Sequence, residues 1–342
     1  MMPQLTHATQ RLARTLSRKG GDRLKLLSVL GMHLLRRRYI GVFIDPILAC
    51  NLRCQMCYFS DPQYRATLRG KLTTDDCEAI AAHLFPQALR LQIGCGAEPT
   101  LTPETMLRLV QLGKEYHVPW ISVITNGNAL TEETLQALVT AGLSELTLSL
   151  HGTTQATYER LMEGAEWQRF VTLLEWLKAL DNPPAVRLNY TVNRDNVEEL
   201  SRLPDLIRDY PVRTVQIRPV QKIGESAYKE FDMAPLVAIY DRVIATTVER
   251  LRAEGIEVIC PSSKKMSQTA KPPRRLAKLF EEATYYYISP QSFGPHGVDF
   301  RAVSLRSYAR QSHLVGRLLR AIFTQRNAYA ERDTHTTKKL NY

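Results

Sequence analysis

Residues 45–60 read DPILACNLRCQMCYFS, from Asp45 to Ser60. Cys50, Cys54 and Cys57 stand in this stretch as C-x3-C-x2-C. It follows the β-branched and aromatic run Tyr39-Ile40-Gly41-Val42-Phe43-Ile44. The cysteines are therefore expected on a loop leaving the C-terminal end of a strand. Thiolates bind soft metals, and three at this density cannot all pair as disulfides. A closed zinc site takes four protein ligands, and no fourth Cys or His lies nearby in the chain. A [4Fe-4S] cluster on three thiolates fits better, because one iron stays open to a further ligand.

The 342 residues suffice for one large domain, or for one domain with appendages. Cys77, Cys95 and Cys260 are scattered and form no secreted disulfide framework. Free thiols and an oxygen-sensitive cluster both suit a reducing cytosol, so a cytoplasmic protein is expected. No long uncharged apolar run or signal-peptide core is present. The net charge of +11 is uneven: residues 1–40 carry +8, residues 301–342 carry +7, and the middle carries −4. Basic ends call for an anionic partner, such as a membrane surface or a phosphorylated substrate. Nucleic acid is disfavoured, because no RNA-binding motif accompanies the charge.

Outward from the cysteines, apolar strand patterns alternate with helical ones. Strands are expected at Ile40–Ile44, Leu89–Ile93, Trp120–Ile124, Glu145–Leu150, Val186–Val192 and Thr214–Ile217. Helices between them start at Thr73-Thr74, at Pro103 and at Glu132, the last ended by Gly142. A helical region over 155–180 breaks near Gly164, and another helix covers 197–209. Six strand–helix units imply an α/β fold with a parallel sheet and right-handed crossovers. Periodicity does not say whether that sheet closes.

Such sheets place chemistry at the C-terminal ends of their strands. The second strand ends in Gly94-Cys95-Gly96-Ala97-Glu98-Pro99-Thr100, where glycines let a ligand approach the backbone and exposed carbonyls can accept from an ammonium group. The third ends in Thr125-Asn126-Gly127, and the fourth in Ser149-Leu150-His151-Gly152. In the fifth, alternation turns Arg187, Asn189 and Thr191 to the sheet's inner face. Arg187 has two readings there: a clamp on a carboxylate, or an internal ion pair.

CNLRC-x2-C on a loop after a strand, followed by alternating helices and strands, resembles the radical S-adenosylmethionine (SAM) superfamily over residues 40–220. The resemblance implies a partial (β/α)6 TIM-like barrel. It implies a [4Fe-4S] cluster on Cys50, Cys54 and Cys57 whose open iron chelates SAM. It further implies reductive cleavage to a 5′-deoxyadenosyl radical that removes hydrogen from a substrate. Gly96, Ala97 and Glu98 match the segment that meets the SAM amino group, with Ala97 in place of a usual glycine. Asn126 and Ser149 fall where the family holds ribose or carboxylate, and Val220 where it covers adenine. Met56 replaces a frequent aromatic near adenine, and His151 replaces a frequent Asp. A flavodoxin or ferredoxin is the electron donor expected of the family. The substrate is open: a lipid-linked, phosphorylated or sugar compound, or a peptide. A non-catalytic iron–sulfur carrier is the rival outside enzymology.

Three segments follow: a basic amphipathic extension at 1–38, the core at 39–220, and a C-terminal extension at 221–342. A seventh strand is expected at Gly255–Ile259 after a long helix, Ala234–Glu254. No C-terminal cysteine-rich stretch for further clusters is present. The aromatic, Gly- and Pro-rich stretch Tyr285–Phe300 reads as a lid or substrate wall, with His296 and Asp299 as polar contacts. The catalytic residues are left open, with His151, Arg187 and His296 as the candidates. A last basic helix is expected over 302–325, and a frayed end after it.

Overall fold

The computed structural model describes residues 21–221, 225–230, 232–266 and 274–324. The expectations for residues 1–20, for Lys222 and for the end beyond 324 lie outside the described residues.

The strands are β1 (Ile40–Ile44), β2 (Ala88–Ile93), β3 (Trp120–Thr125), β4 (Glu145–Leu150), β5 (Ala185–Val192), β6 (Val212–Pro219), β7 (Glu257–Ile259) and β8 (Tyr285–Ile288). They form one eight-stranded sheet in the order β7-β6-β5-β4-β3-β2-β1-β8. Every neighbouring pair is parallel. The first six strands run in chain order, as consecutive right-handed β-α units require. The sheet is open, with β7 and β8 as its edges, so the architecture is a partial barrel.

Local chemistry explains the helices. Thr73 and Asp76 close a reciprocal capping box at the start of helix Thr74–Leu84. Pro103 opens helix Pro103–Glu115. Gly164 at φ +90° separates helix Gln155–Leu161 from helix Trp167–Ala179. Between sheet and helices lies the apolar core, in which Val42, Ile44, Leu91, Ile93, Ile121, Val123, Leu146 and Leu148 are buried. Their strand neighbours face the inside of the curved sheet, the lumen. Among the described residues no helix is long and apolar enough to cross a membrane.

Two expectations change. The stretch from Tyr285 opens as a strand and not as a loop: Tyr285–Ile288 is β8, paired with β1 from Gly41↔Tyr285 to Ile44↔Ile288. Tyr285 and Tyr287 face the lumen, while Tyr286 turns out and packs edge-on against Phe300 and Tyr308. Three tyrosines and an isoleucine are strong strand formers, and the Gly/Pro-rich sequence behind them hides that signal. The long helix over 234–254 is broken into Ala234–Ala238, a π-helical turn Tyr240–Ala245 and Thr246–Ala253.

Candidate functional site at the mouth of the lumen

Cys50, Cys54 and Cys57 lie on the loop after β1, all as free thiols. The loop is pinned by its backbone. The Arg53 N–H donates to the Glu163 carbonyl and the Gln55 N–H to the Leu161 carbonyl, at 2.8 and 3.0 Å. The Arg53 guanidinium donates to the Cys50 and Leu52 carbonyls, both at 2.7 Å. On the other side the Glu98 N–H donates to the Ala49 carbonyl.

The thiols crowd one another. Burial pushes the Cys50 thiol up to about 12, with Glu98 and Cys57 adding to it. Burial and the neighbouring thiols hold Cys54 well above the ordinary range. Metal ligation needs thiolates, so the ligating form of this loop requires a cationic partner. Among the described residues no group of His, Cys, Asp and Glu is arranged around a single metal ion. Three soft donors and no fourth suit a cluster that offers one iron to each sulfur. The Leu52 N–H and the Asn126 side-chain amide point at the Cys50 sulfur, at 3.4 and 3.9 Å.

Opposite the loop, two buried carboxylates shape the strand ends. Asp45, at the end of β1, accepts from the N–H groups of Cys95 and Gly96 and from the Tyr287 hydroxyl at 2.6 Å. Glu98 accepts from the Thr100 N–H and hydroxyl, the Thr125 hydroxyl and the Asn126 N–H. Burial still pushes its carboxyl up against those four donors. Gly94 at φ +81° turns the chain where a Cβ would lie 2.3 Å from the Ile124 carbonyl. A Cβ on Gly96 would strike the Tyr58 hydroxyl, which donates to the Gly96 carbonyl.

A cavity of about 230 Å³ lies between these walls, bordered by all three cysteines. Of the residues expected at the site, Met56, Gly96, Ala97, Glu98, Asn126 and Ser149 reach it. Val220 and His151 line it as well. Glu98 presents no free carboxylate, because its oxygens are taken. Asn126 spends its amide on the Asn51 side chain at 2.9 Å, which ties the third strand end to the cysteine loop. His151 is buried; its Nδ1 accepts the Thr191 N–H at 3.3 Å. Burial, then Arg218, pushes it down to about 3.

Arg187 does not reach the mouth. It sits low in β5 and pairs with Glu145 at 3.5 Å, the contact that the ion-pair reading expects. His296 lies exposed on the loop after β8 and does not border the cavity. Asp299 is bound by Arg301. Sequence reasoning misses Asp45, Tyr287 and Arg218, which borders the cavity. The signal was alternation: Asp45 continues the inward parity of Gly41 and Phe43, as Arg218 continues that of Gln216.

An open parallel barrel with three thiols and a glycine cradle at its mouth defines a class of iron–sulfur, nucleotide-type sites. Residues 44–207, just under half of the chain, match the Radical SAM superfamily model, and the chain is similar to that superfamily. Its members are enzymes that use a [4Fe-4S] cluster and SAM and take electrons from a reductant. The chain is 27% identical to an AdoMet-dependent heme synthase of Methanosarcina barkeri over 54% of this chain and 48% of that protein. It is 26% identical to a PqqA peptide cyclase of Bradyrhizobium diazoefficiens over 65% and 58%. A probable GTP 3′,8-cyclase of Saccharolobus solfataricus matches at 26% over 54% and 58%. The chain thus spans about half the length of the curated relatives it matches. Streptococcus suis SuiB bound to S-adenosylmethionine shares the fold, with a TM-score of 0.59 and 16% identity over 74% of this chain and 59% of that one.

Proposed function

We propose that this chain is a SAM-cleaving radical enzyme acting on an anionic small molecule. The observation that carries the reading is the cavity at the mouth, which Cys50, Cys54 and Cys57 share with the Gly96–Glu98 cradle. The three cysteines hold the cluster. The carbonyls of the Gly96–Ala97 segment take the amino end of SAM, Ser149 its ribose or carboxylate, and Met56 and Val220 cover adenine. When bound, cluster and SAM supply a radical able to remove hydrogen. Asp45, Glu98 and Asn126 position the backbone that does the holding. His151 stays neutral and contributes a hydrogen bond, not a titrating acid. The electron donor is a flavodoxin or ferredoxin, and the setting cytoplasmic. A lipid-linked, phosphorylated or sugar substrate fits the polar lumen. A peptide is the alternative, because PqqA peptide cyclases are among the relatives.

The test is anaerobic reconstitution, followed by SAM and a strong reductant and a count of 5′-deoxyadenosine. Release should fall to background in Cys54→Ala. A loaded cluster with no SAM-induced spectral change and no cleavage would instead make the protein an electron carrier.

A separate observation favours work at a membrane surface. Helix Asp22–Leu34 buries Leu26, Val29 and Leu30 yet exposes Leu24, Leu27 and Leu34, the last by 62%, with Leu35 after it. Helix Leu314–Phe323 packs beside it and exposes Leu319 and Phe323. Exposed Arg36, Arg37 and Arg320 border the face. Apolar side chains within a basic rim match an anionic lipid surface. The full chain should co-sediment with vesicles containing phosphatidylglycerol and not with phosphatidylcholine alone. Leu27→Glu with Leu34→Glu should weaken that by about tenfold or more. Equal binding to both vesicles, or by both proteins, removes the reading. A dimer lost in the variant would assign the face to a second copy.

A further inference from the structure

A full (β/α)8 barrel fills its lumen with layers of branched apolar side chains. The lower lumen here is polar instead. Strand parity turns Arg90, Gln92, Glu145, Arg187, Asn189 and Tyr285 into it. Arg90 and Tyr285 flank the same residue of β1, Gly41, from β2 and β8. The Phe43 ring lies over Gly41, in the space a Cβ would take. It stacks on Tyr285 at 4.1 Å and stands 5.9 Å from the Arg90 guanidinium.

Among the described residues the floor carries two guanidinium groups and one buried carboxylate, Glu145; Glu257 has the same parity but lies exposed on the edge strand β7, so the buried charge is not balanced. Arg187 has Glu145 at 3.5 Å, while Arg90 donates to the neutral Gln92 amide oxygen at 2.5 Å and feels Glu145 without an ion-pair contact. Four buried side-chain atoms there have no hydrogen-bond partner among the described residues: Arg90 Nε, Arg187 Nε, the Tyr285 hydroxyl and Asn189 Oδ1. Three of the four are donors. Native interiors carry few such groups, because each costs about as much as a broken hydrogen bond. Asn189 is 3% exposed and also borders the cavity at the mouth. Floor and mouth therefore share a wall along β5. Water could meet the donors but would leave the extra positive charge in place. An anion meets both.

We infer that the floor of the lumen is an anion subsite, built by Arg90, Arg187 and Tyr285 to take a carboxylate or phosphate group of the substrate. The word substrate rests on the reading of the mouth given above; the anion itself needs neither cluster nor SAM. Its test uses the full chain without SAM, melted in sodium phosphate, sodium acetate and sodium chloride at equal ionic strength. One of the first two should raise Tm saturably beyond chloride, as a ligand of the folded state does. Which one does so separates phosphate from carboxylate. Tyr285→Phe keeps the ring stack and should weaken the anion roughly tenfold. Arg90→Gln removes the unbalanced charge and should abolish the effect. If Arg90→Gln does not fold, Tyr285→Phe decides alone. Equal melting in the three salts overturns the inference. So does a Tm rise unchanged in Tyr285→Phe, which would place the anion on the basic surface. Anion binding without any deoxyadenosine release would remove the reading of the mouth and leave the floor standing; the reverse would remove the floor.

Discussion

The mouth and the floor of the lumen are both polar, and they treat their charges in opposite ways. At the mouth each buried carboxylate is answered within the chain. Asp45 has two N–H groups and a phenol, and Glu98 has four donors. At the floor the donors exceed the acceptors, and three of them point at nothing. A satisfied network rigidifies, while an unsatisfied one is costly until a ligand completes it. The mouth is built as scaffold, so that backbone carbonyls and thiols stay in place for cofactors. On the inference drawn above, the floor is a receptor.

Substitutions at the two ends should therefore behave differently. Asp45→Asn is expected to be the most damaging. One acceptor would replace two: with the amide oxygen kept on the Cys95 and Gly96 N–H groups, the NH2 group would face the Gly96 N–H and the Tyr287 hydroxyl in place of the second oxygen. The loss should be about 3 kcal/mol in urea unfolding, with weaker SAM binding as the cradle loosens. A change under a few tenths of that size would mean that Asp45 does not organise the mouth.

His151 offers a pH test of the same wall. Its imidazole is held down to about 3 when folded, against an unfolded value near 6.5. The unfolded chain then binds a proton that the folded chain refuses. Stability should fall as pH drops from about 6.5 toward 3, with this residue adding about 1.4 kcal/mol per pH unit at full effect. His151→Gln should flatten that slope by about one proton in urea midpoints taken across the window. An unchanged slope would place the acid sensitivity elsewhere.

The smallest effect is expected at the floor. Tyr285→Phe removes a hydroxyl that has no partner, so in chloride buffer it should leave stability level or raise it by up to about 1 kcal/mol. A clear loss would show that the hydroxyl is already satisfied, and the contrast between the two ends would disappear.

The order of strands and helices was legible because period-2 and helical apolar patterns report which face is buried. That physics is local, and it set β1 and β4 to the residue. The C-x3-C-x2-C loop was legible for the same reason, since its three cysteines lie within eight consecutive residues. Arg187 was not decidable, because its partner Glu145 stands in register on a neighbouring strand, two pairs away in the ladder. β8 was obscured by the Gly- and Pro-rich loop behind it, and its pairing with β1 joins residues more than two hundred positions apart. Sequence by itself determined the chemistry-bearing loop and the parallel α/β plan, because both rest on short-range spacing. Only the tertiary structure decided that Asp45 and Glu98 are internal brackets, that His296 stands apart, and that Arg90 and Tyr285 meet across Gly41. Charge balance and hydrogen-bond satisfaction are sums over strands far apart in the chain, and they exist only once the sheet has closed those distances.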